Sequence, residues 1–425
     1  MAYLVYILNK NNEPLMPTKR FGKVKHLLKE GKAKVIRKEP FTIKLLYDST
    51  NYVQDLTLGV DTGSITFATA VSTSDNKIIY MSEVELRNDI TKKMNQRRDF
   101  RRLRRARKLR YRKPRFLNRK NSIKTDRFSP TMTSKFNSHI KEIEFIKSIL
   151  PIKNLVLETG TFDPHLMKNP TMNRHWGYQY GPNYGYENTR AMILDRDNYT
   201  CQICKNKRKD SKLDVHHLIF RSNGGSNTED NLTTLCHSCH VDLHDGKILY
   251  KKKGRKKGTL RFATQMNSIR KQLLRHYPES TETFGYVTKA NRFLYNIPKE
   301  HYFDATIIAT SGNKPIFITN ILYIKKSISK GDYQKTKGVD RNITIPTGRV
   351  NGFRKGDKVK YKNNIYFIKG RYSTGYAILM NIHGETQKFT NPKIPKMCNL
   401  KRISARKTTL IDHIVLNFND INNGD

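Results

Sequence analysis

Cys201–His244 reads CQICKNKRKDSKLDVHHLIFRSNGGSNTEDNLTTLCHSCHVDLH, and the spacing of its cysteines and histidines decides how the middle of this chain must fold. Cys201-Gln-Ile-Cys204 and Cys236-His-Ser-Cys239 are two CxxC turns with 31 residues between them. Each turn presents two sulfurs on one side, and two turns supply the four thiolates that hold a tetrahedral Zn²⁺ at about 2.3 Å. Four unmetallated thiols are the alternative, and they leave the paired spacing without a cause. A block this short has little core of its own, so zinc binding is expected to drive its folding. The five cysteines are therefore two pairs plus Cys398, a metal-site pattern suited to a reducing compartment and not a disulfide framework. Cys398, with no partner, is expected to be a small buried hydrophobe.

Between and after the two turns stand His216, His217, Asn231, His240 and His244. His240 and His244 lie four apart, share one face of a helix and can clamp a single cation. Imidazole, with an ordinary pKa near about 6.5, can also accept a proton at neutral pH. The order His-His, Asn, Cys-His with a trailing His resembles the HNH (ββα-metal) nuclease motif. That resemblance implies His217 as the general base that takes a proton from the attacking water, with His216, His240 and His244 as ligands of one catalytic metal. It implies Asn231 as the residue holding the base and its hairpin in place, so that His216, His217, Asn231 and His240 form the catalytic set. A cation held there would stabilise charge developing on the phosphate and on the leaving oxygen. The plainer reading of the same residues is a solvated histidine pair with His240 as an extra neighbour of the zinc.

Outward from this block the pattern changes to strands. LTLGVD (56–61), ITFATAVS (65–72) and KIIYMSEVEL (77–86) are three strand-like runs, NLVLE (154–158) is a fourth, and TSKFNSHIKEIEFIKSIL (133–150) has helical spacing. Beyond the block, NSIRKQLLRHY (267–277) reads as helix, TFGYVT (283–288) as strand and HYFDATIIA (301–309) as helix. Asp61 closes the first strand, Glu158 closes the fourth, and His301 and Asp304 stand three apart. Singly these are ordinary, since Asp before Gly is common turn chemistry. As a set, carboxylates on neighbouring strand ends and one helix suit two divalent ions about 3.5–4 Å apart across a scissile phosphate.

The charge balance points to a polyanion. The 425 residues carry 81 Lys and Arg against 36 acids, a net +45, and each phosphate neutralised by such a side chain releases condensed counterions. No apolar stretch approaches the roughly 20 residues that a membrane span needs, and the N-terminal sequence lacks the basic leader and cleavage site of a signal peptide. Between Arg97 and Lys120 lie eleven Arg and three Lys, fourteen of 24 residues, against one acid, Asp99. Like charges at i, i+4 cost a helix about 0.2–0.5 kcal/mol per pair, so this segment is poorly stable alone and is stabilised by an anion. Its Arg97, Arg98, Arg101, Arg102, Arg104, Arg105, Arg107, Arg110, Arg112 and Arg115 favour forked phosphate contacts. Pro114 is expected to end the helix. Beyond 340, alternating residues suggest a small β-barrel-like domain, whose Tyr361, Tyr366, Tyr372 and Tyr376 read either as strand core or as a nucleic-acid-facing surface.

Taken together, the order Asp, Glu, His-x-x-Asp, the arginine segment after the first strands and an HNH block before the last group resemble the transposon-encoded IscB family, compact relatives of type II CRISPR effectors. Pro14-Leu15-Met16-Pro17 matches the sequence that names that family's N-terminal domain, and the resemblance covers roughly residues 1–320. It implies a multidomain α/β fold: an RNase H-like (RuvC) mixed sheet split by an inserted zinc-containing ββα-metal HNH domain, an arginine-rich bridge helix and a small β-rich C-terminal domain. The implied divisions are an N-terminal domain at 1–55, RuvC parts at 56–93, 126–160 and 276–325, and the bridge helix at 94–125. Linkers are implied at 161–189 and 251–275, HNH at 190–250, and a domain reading a target-adjacent motif at 326–425. By the same resemblance Asp61, Glu158, His301 and Asp304 are the RuvC catalytic set holding two Mg²⁺, and Mg²⁺ also serves the HNH site. The arginines hold a structured guide RNA (omega RNA), the substrate is double-stranded DNA, and the working particle is a monomeric ribonucleoprotein of the prokaryotic cytoplasm. A protein-guided homing or structure-specific HNH endonuclease is the alternative, and it needs neither the carboxylate set nor the arginine segment.

Overall fold

The computed structural model describes residues 3–106, 128–160, 167, 183–223, 225–250, 260–329 and 349–417. In chain order these begin with β1 (Val5–Leu8), β2 (Pro14–Thr18), α1 (Phe21–Lys29), β3 (Ala33–Lys38) and β4 (Phe41–Leu45). Next come β5 (Leu56–Asp61), β6 (Thr66–Thr73), β7 (Lys77–Glu85), α2 (Ile90–Ala106), α3 (Pro130–Lys147) and β8 (Ile152–Glu158). A second unit contains α4 (Thr189–Arg196), β9 (Leu213–His217), β10 (Leu232–Cys236) and α5 (His237–His244). The first unit resumes with α6 (Arg261–His276), β11 (Thr281–Thr283), α7 (Gly285–Leu294), α8 (His301–Ala309), β12 (Ile316–Phe317) and β13 (Ile321–Ser327). It ends with β14 (Lys358–Tyr361), β15 (Asn364–Arg371), β16 (Ala377–Met380), β17 (Lys401–Ser404) and β18 (Thr409–Val415).

In the first unit, an eight-stranded sheet runs in the order β11-β8-β5-β6-β7-β13-β18, with β12 beside β7. Strands β5, β6 and β7 are an antiparallel meander, while β8 runs parallel to β5 and β11 parallel to β8. Both faces are covered, which is why the strands read as nearly unbroken apolar runs. On one face Leu56, Leu58 and Phe67 meet Ile143 and Ile146 of α3 and Ile269 and Leu273 of α6. On the other, Ala68, Ala70 and Met81 meet Ala305 and Ala309 of α8. A Cβ on Gly59 would lie 2.3 Å from the Ala309 nitrogen and 2.7 Å from the Ala305 oxygen. Only glycine lets α8 lie this close to β5, and this approach brings the start of α8 to the end of β5.

The N-terminal module is a four-stranded sheet in the order β2-β1-β4-β3, with Val24 of α1 packed on Val5 and Ile43. Pro14 and Pro17 sit on β2, an edge strand, where their missing N–H groups cost least. The C-terminal strands β16-β15-β14-β17 form an open antiparallel sheet, with no pairing between its two end strands among the described residues, in place of the expected barrel.

Four further expectations change. TFGYVT contributes only Thr283 to a strand, because the chain turns at Phe284 and 285–288 open α7, whose Thr288 and Arg292 face inward. The implied linker at 251–275 gives way to α6 over 261–276, which takes in the stretch from 267 that reads as helix and buries Met266, Ile269 and Leu273 in the main core. Strand β18 leaves the C-terminal sheet and pairs with β13. Cys398 is exposed, since the short turn Met397–Asn399 buries Met397 instead. Of the tyrosines, Tyr361 is buried and Tyr366 packs on the same core, whereas Tyr372 is exposed. The described part of the arginine segment is helical, with Arg97, Arg98, Arg101 and Arg102 exposed. Arg104 and Arg105 lie on its last turn, and Arg107, Arg110, Arg112, Arg115 and Pro114 fall outside the described residues.

Candidate functional site

In the second unit, β9 and β10 pair antiparallel with Leu232 opposite His217 and Thr233 opposite His216, and α5 follows directly. Helix α5 carries Cys239, His240 and His244, and Cys236, the last residue of β10, caps its start. The donor sulfurs of Cys201, Cys204, Cys236 and Cys239 lie within 4.8 Å of one another, with Cys204 Sγ 3.7 Å from Cys236 Sγ. A tetrahedron with about 2.3 Å metal–sulfur bonds has edges near 3.8 Å, so this spacing suits zinc. Burial pushes the Cys236 and Cys239 thiols up. At Cys204 burial is outweighed by the Arg208 backbone N–H and the neighbouring thiols, which bring it to about 7. Four crowded thiols of this kind are relieved by a cation that takes all four sulfurs as thiolates.

His216, His240 and His244 form the second cluster, also with donor nitrogens within 4.8 Å of one another. His240 Nε2 and His244 Nε2 are 3.3 Å apart. Burial, then the nearby His240 and His244, lowers His216 to about 4, and burial lowers His240 too. Those two rings are thereby favoured as neutral imidazoles, the form that ligates metal. Asp214 Oδ2 lies 3.9 Å from His240 Nδ1 and 2.9 Å from His237 Nδ1, placing a carboxylate behind the cluster as metal-ligating histidines commonly have.

His217 points to a different partner. Its Nε2 is 2.9 Å from Asn227 Oδ1, which also accepts from Arg221 Nε at 3.2 Å. Arg221 Nε also stands 3.3 Å from the same Nε2: a proton on Nε2 directed at Asn227 leaves Nδ1 as the acceptor, whereas donation from Arg221 to Nε2 puts the proton on Nδ1. Asn231 is buried and spans the hairpin loop: its Oδ1 accepts from Ile219 N at 2.8 Å, and its Nδ2 donates to Ile219 O and Ser226 O. Gly225 closes the same loop, where a Cβ would meet Ile219 O at 1.8 Å.

The first unit holds the other predicted set. Asp61 Oδ2, at the end of β5, is 2.6 Å from His301 Nδ1 on α8. Asp304, one turn on, meets Arg292 Nη1 at 3.3 Å, and Glu158 Oε2 accepts from Thr288 at 3.0 Å. Among the described residues these four do not gather into one cluster as tight as the two above. They do share a field: burial and then Asp61 push Glu158 up to about 7 and Asp304 up to about 6. The hydrogen bond to Asp61 raises His301 to about 9. A buried acid group raised by another acid is a site that a cation would relieve.

Arg270 of α6 is a residue that sequence reasoning missed. It is buried, donates to Thr62 Oγ1 at 2.8 Å and to Thr62 O at 3.1 Å, and also reaches Gly160 O. It thus ties the loops after Asp61 and Glu158 together from a helix 208 residues beyond Thr62 and 110 beyond Gly160. Asn227 and Asp214 were missed as well, since polar residues in a turn and on a strand carry no spacing signal of their own.

Two family models match the chain: RRXRR protein over residues 5–181 and HNH endonuclease over residues 201–246. The chain belongs to the IscB family. The matched HNH region of this IscB chain encloses both the four-cysteine and three-histidine clusters. Anaredoxin of Nostoc sp. (strain PCC 7120 / SAG 25.82 / UTEX 2576) is 35% identical over 65 residues, 15% of this chain and 83% of that protein. The type IV methyl-directed restriction enzyme EcoKMcrA of Escherichia coli (strain K12) is 36% identical over 64 residues, 14% of this chain and 23% of the enzyme. The IscB chain is a metal-dependent endonuclease, and among its described residues no helix is long and apolar enough to cross a membrane.

Proposed function

We propose that the chain is an RNA-guided double-stranded DNA endonuclease. The HNH site cuts the guide-paired strand, and a RuvC site at Asp61, Glu158, His301 and Asp304 cuts the displaced strand. The observation that carries this reading is the second acidic centre: Asp61 beside His301, at the end of the first strand of a sheet ordered β7-β6-β5-β8-β11. A three-stranded antiparallel meander joined through its first strand to two parallel strands is the arrangement expected of an RNase H-like core. An HNH endonuclease that needed one cutting centre would have no use for it. The exposed arginines of α2, in a chain of net charge +45, support a polyanionic partner beyond the substrate alone. In such an enzyme base pairing selects the sequence, and the C-terminal sheet would read a short target-adjacent motif.

At the HNH site His217 Nδ1 accepts a proton from the attacking water, while Asn227 fixes the ring through Nε2 and Asn231 fixes the loop that carries it. The water oxygen bonds to phosphorus as the bridging phosphorus–oxygen bond breaks. His216, His240 and His244 would hold a divalent cation such as Mg²⁺, which when bound stabilises charge on the phosphate and leaving oxygen. At the RuvC site Asp61, Glu158 and Asp304, with His301, would hold two more, and Arg270 keeps the carboxylate-bearing loops in register.

His217→Ala should nick only the displaced strand and Asp61→Ala only the guide-paired strand, while both still bind guide and target. Strand-specific end labels on a supercoiled target with Mg²⁺ separate these outcomes. If Asp61→Ala leaves both cuts at wild-type rate, the second centre is not catalytic. Similarity to the methyl-directed restriction enzyme favours one rival, an HNH nuclease without a guide. Purification of active enzyme with no copurifying RNA would select that rival.

A further inference from the structure

Strand β3, helix α3 and the segment Ile403–Ile411 enclose a cavity of about 430 Å³ in the first unit. Its acidic lining residues are already committed: Glu142 binds Lys325 at 2.5 Å, and Glu39 binds Lys358 at 2.6 Å. Arg37, Lys38, Lys141 and Lys407 also line it, and none has a carboxylate partner among the described residues. Arg37 stacks over Phe145 at 4.7 Å, and its Nη1 is buried with no hydrogen-bond acceptor. Lys141 is held only by the hydroxyls of Thr408 and Thr409, each at 2.5 Å. Burial lowers both cations from their ordinary values. An orphaned guanidinium nitrogen in a cationic cavity is a desolvation cost that an anion would offset.

The cavity is not closed. Through Ser138, Lys141, Ser327 and Thr408 it continues into a shallower groove of about 760 Å³ that passes Ser134 and Asn137. No acidic side chain lines this groove among the described residues. A single inorganic anion is far smaller than this cavity of about 430 Å³ and would leave most of it and the groove unused, whereas a chain of phosphates would use both. The hydroxyls and amide along the groove can exchange hydrogen bonds with ribose 2′-hydroxyls, the groups that distinguish RNA from DNA.

We propose that this cavity and groove form a track for an RNA strand, with one phosphate seated between Arg37 and Lys141 and the next ribose units along α3. The track rests on the reading of the chain as an RNA-binding nuclease and adds to it a specific place where the strand runs, separate from the arginines of α2. Arg supplies a forked contact to phosphate oxygens that Lys cannot match.

The test uses the full-length protein and a short fluorescein-labelled oligouridine, read by anisotropy across a salt series. Arg37→Gln with Lys141→Gln should lower the slope of log affinity against log salt by about 0.7, the loss expected for one phosphate of a single strand no longer neutralised. Asn137→Asp, an isosteric change at an exposed position, adds a negative charge to the groove without disturbing the core. It should weaken binding severalfold at unchanged melting temperature. Oligothymidine of the same length should bind more weakly and lose less on Asn137→Asp. An unchanged slope in the double variant, with wild-type affinity in Asn137→Asp, overturns the track while leaving RNA binding intact. Wild-type protein that binds no oligouridine overturns the RNA-binding reading and the track together. Equal binding of oligothymidine overturns the assignment to RNA.

Discussion

His139 and His216 are both buried histidines lowered to about 4, and the residues around them give them different consequences. His216 is lowered by burial and by two further histidines, so a metal can use it. His139 lies on α3, fully buried, stacked on Phe67 at 4.1 Å and bonded through Nδ1 to Lys135 O, and it belongs to neither donor cluster. Burial is the main cause of its low value. The unfolded chain takes a proton on this ring near about 6.5, while the folded protein refuses it until about pH 4. Stability is therefore full above about 6.5 and is lost as pH falls toward 4, by up to about 3 kcal/mol. Urea titrations of wild type and His139→Phe between these pH values should show a shallower pH dependence for the variant; parallel curves would assign the loss to other groups. The same contrast marks what the sequence could tell. The histidines and cysteines of 201–244 were legible because metal chemistry imposes spacing on them. His139 lay in an ordinary helical pattern, and Arg270 was hidden because its partners, Thr62 and Gly160, are remote in sequence.

At the level of elements, β13 and α3 meet through a buried charge pair inside the main sheet's packing layer. Lys325 Nζ lies 2.5 Å from Glu142 Oε1 and 2.7 Å from Tyr80 OH, and it stands 4.0 Å over the Phe145 ring. Ser82 donates to the same carboxylate at 2.8 Å and shares a hydrogen bond with Thr69, so the network links three strands and a helix. Strand spacing could not reveal it, since a lysine on an alternating strand reads as a solvent-facing residue. Edges were misread for related reasons: β18 looked like part of a C-terminal barrel, but its register with β13 from Thr409 to Val415 is decided by a partner about ninety positions earlier. Because both charges are desolvated, removing one leaves the other unpaired. Glu142→Leu alone should cost about 3–5 kcal/mol in chemical denaturation, whereas Glu142→Leu with Lys325→Met should recover most of it. Equal losses in the single and double variants would mean that packing, not charge, dominates this layer.

Across the whole molecule, the chain leaves the first unit at Thr161 and re-enters it at Gln265, and the two units have separate cores. This division was legible from sequence, because a zinc-type block needs only its own short stretch, while the sheet's strands recur on both sides of it. The two cores differ in what sustains them. In the first unit, Leu56, Leu58, Phe67, Ile143, Ile146 and their neighbours bury enough apolar surface to need no metal. In the second, a cluster of Cys201, Leu235, Cys236 and Cys239 stands beside a small one of Met192, Ile193 and Leu232, so closing the cysteine cluster would coincide with binding an ion at its four sulfurs. Chelation of the full-length protein should therefore unfold one unit and spare the other. Hydrogen exchange should then lose protection over 189–244 while keeping it over 56–86 and 152–158, and Cys201→Ser should reproduce the pattern without chelator. Readdition of zinc should restore protection to the wild type but not to Cys201→Ser. If protection over 189–244 survives both chelation and the substitution, the four sulfurs hold no structural ion; if protection over 56–86 falls in parallel, the two cores are not independent.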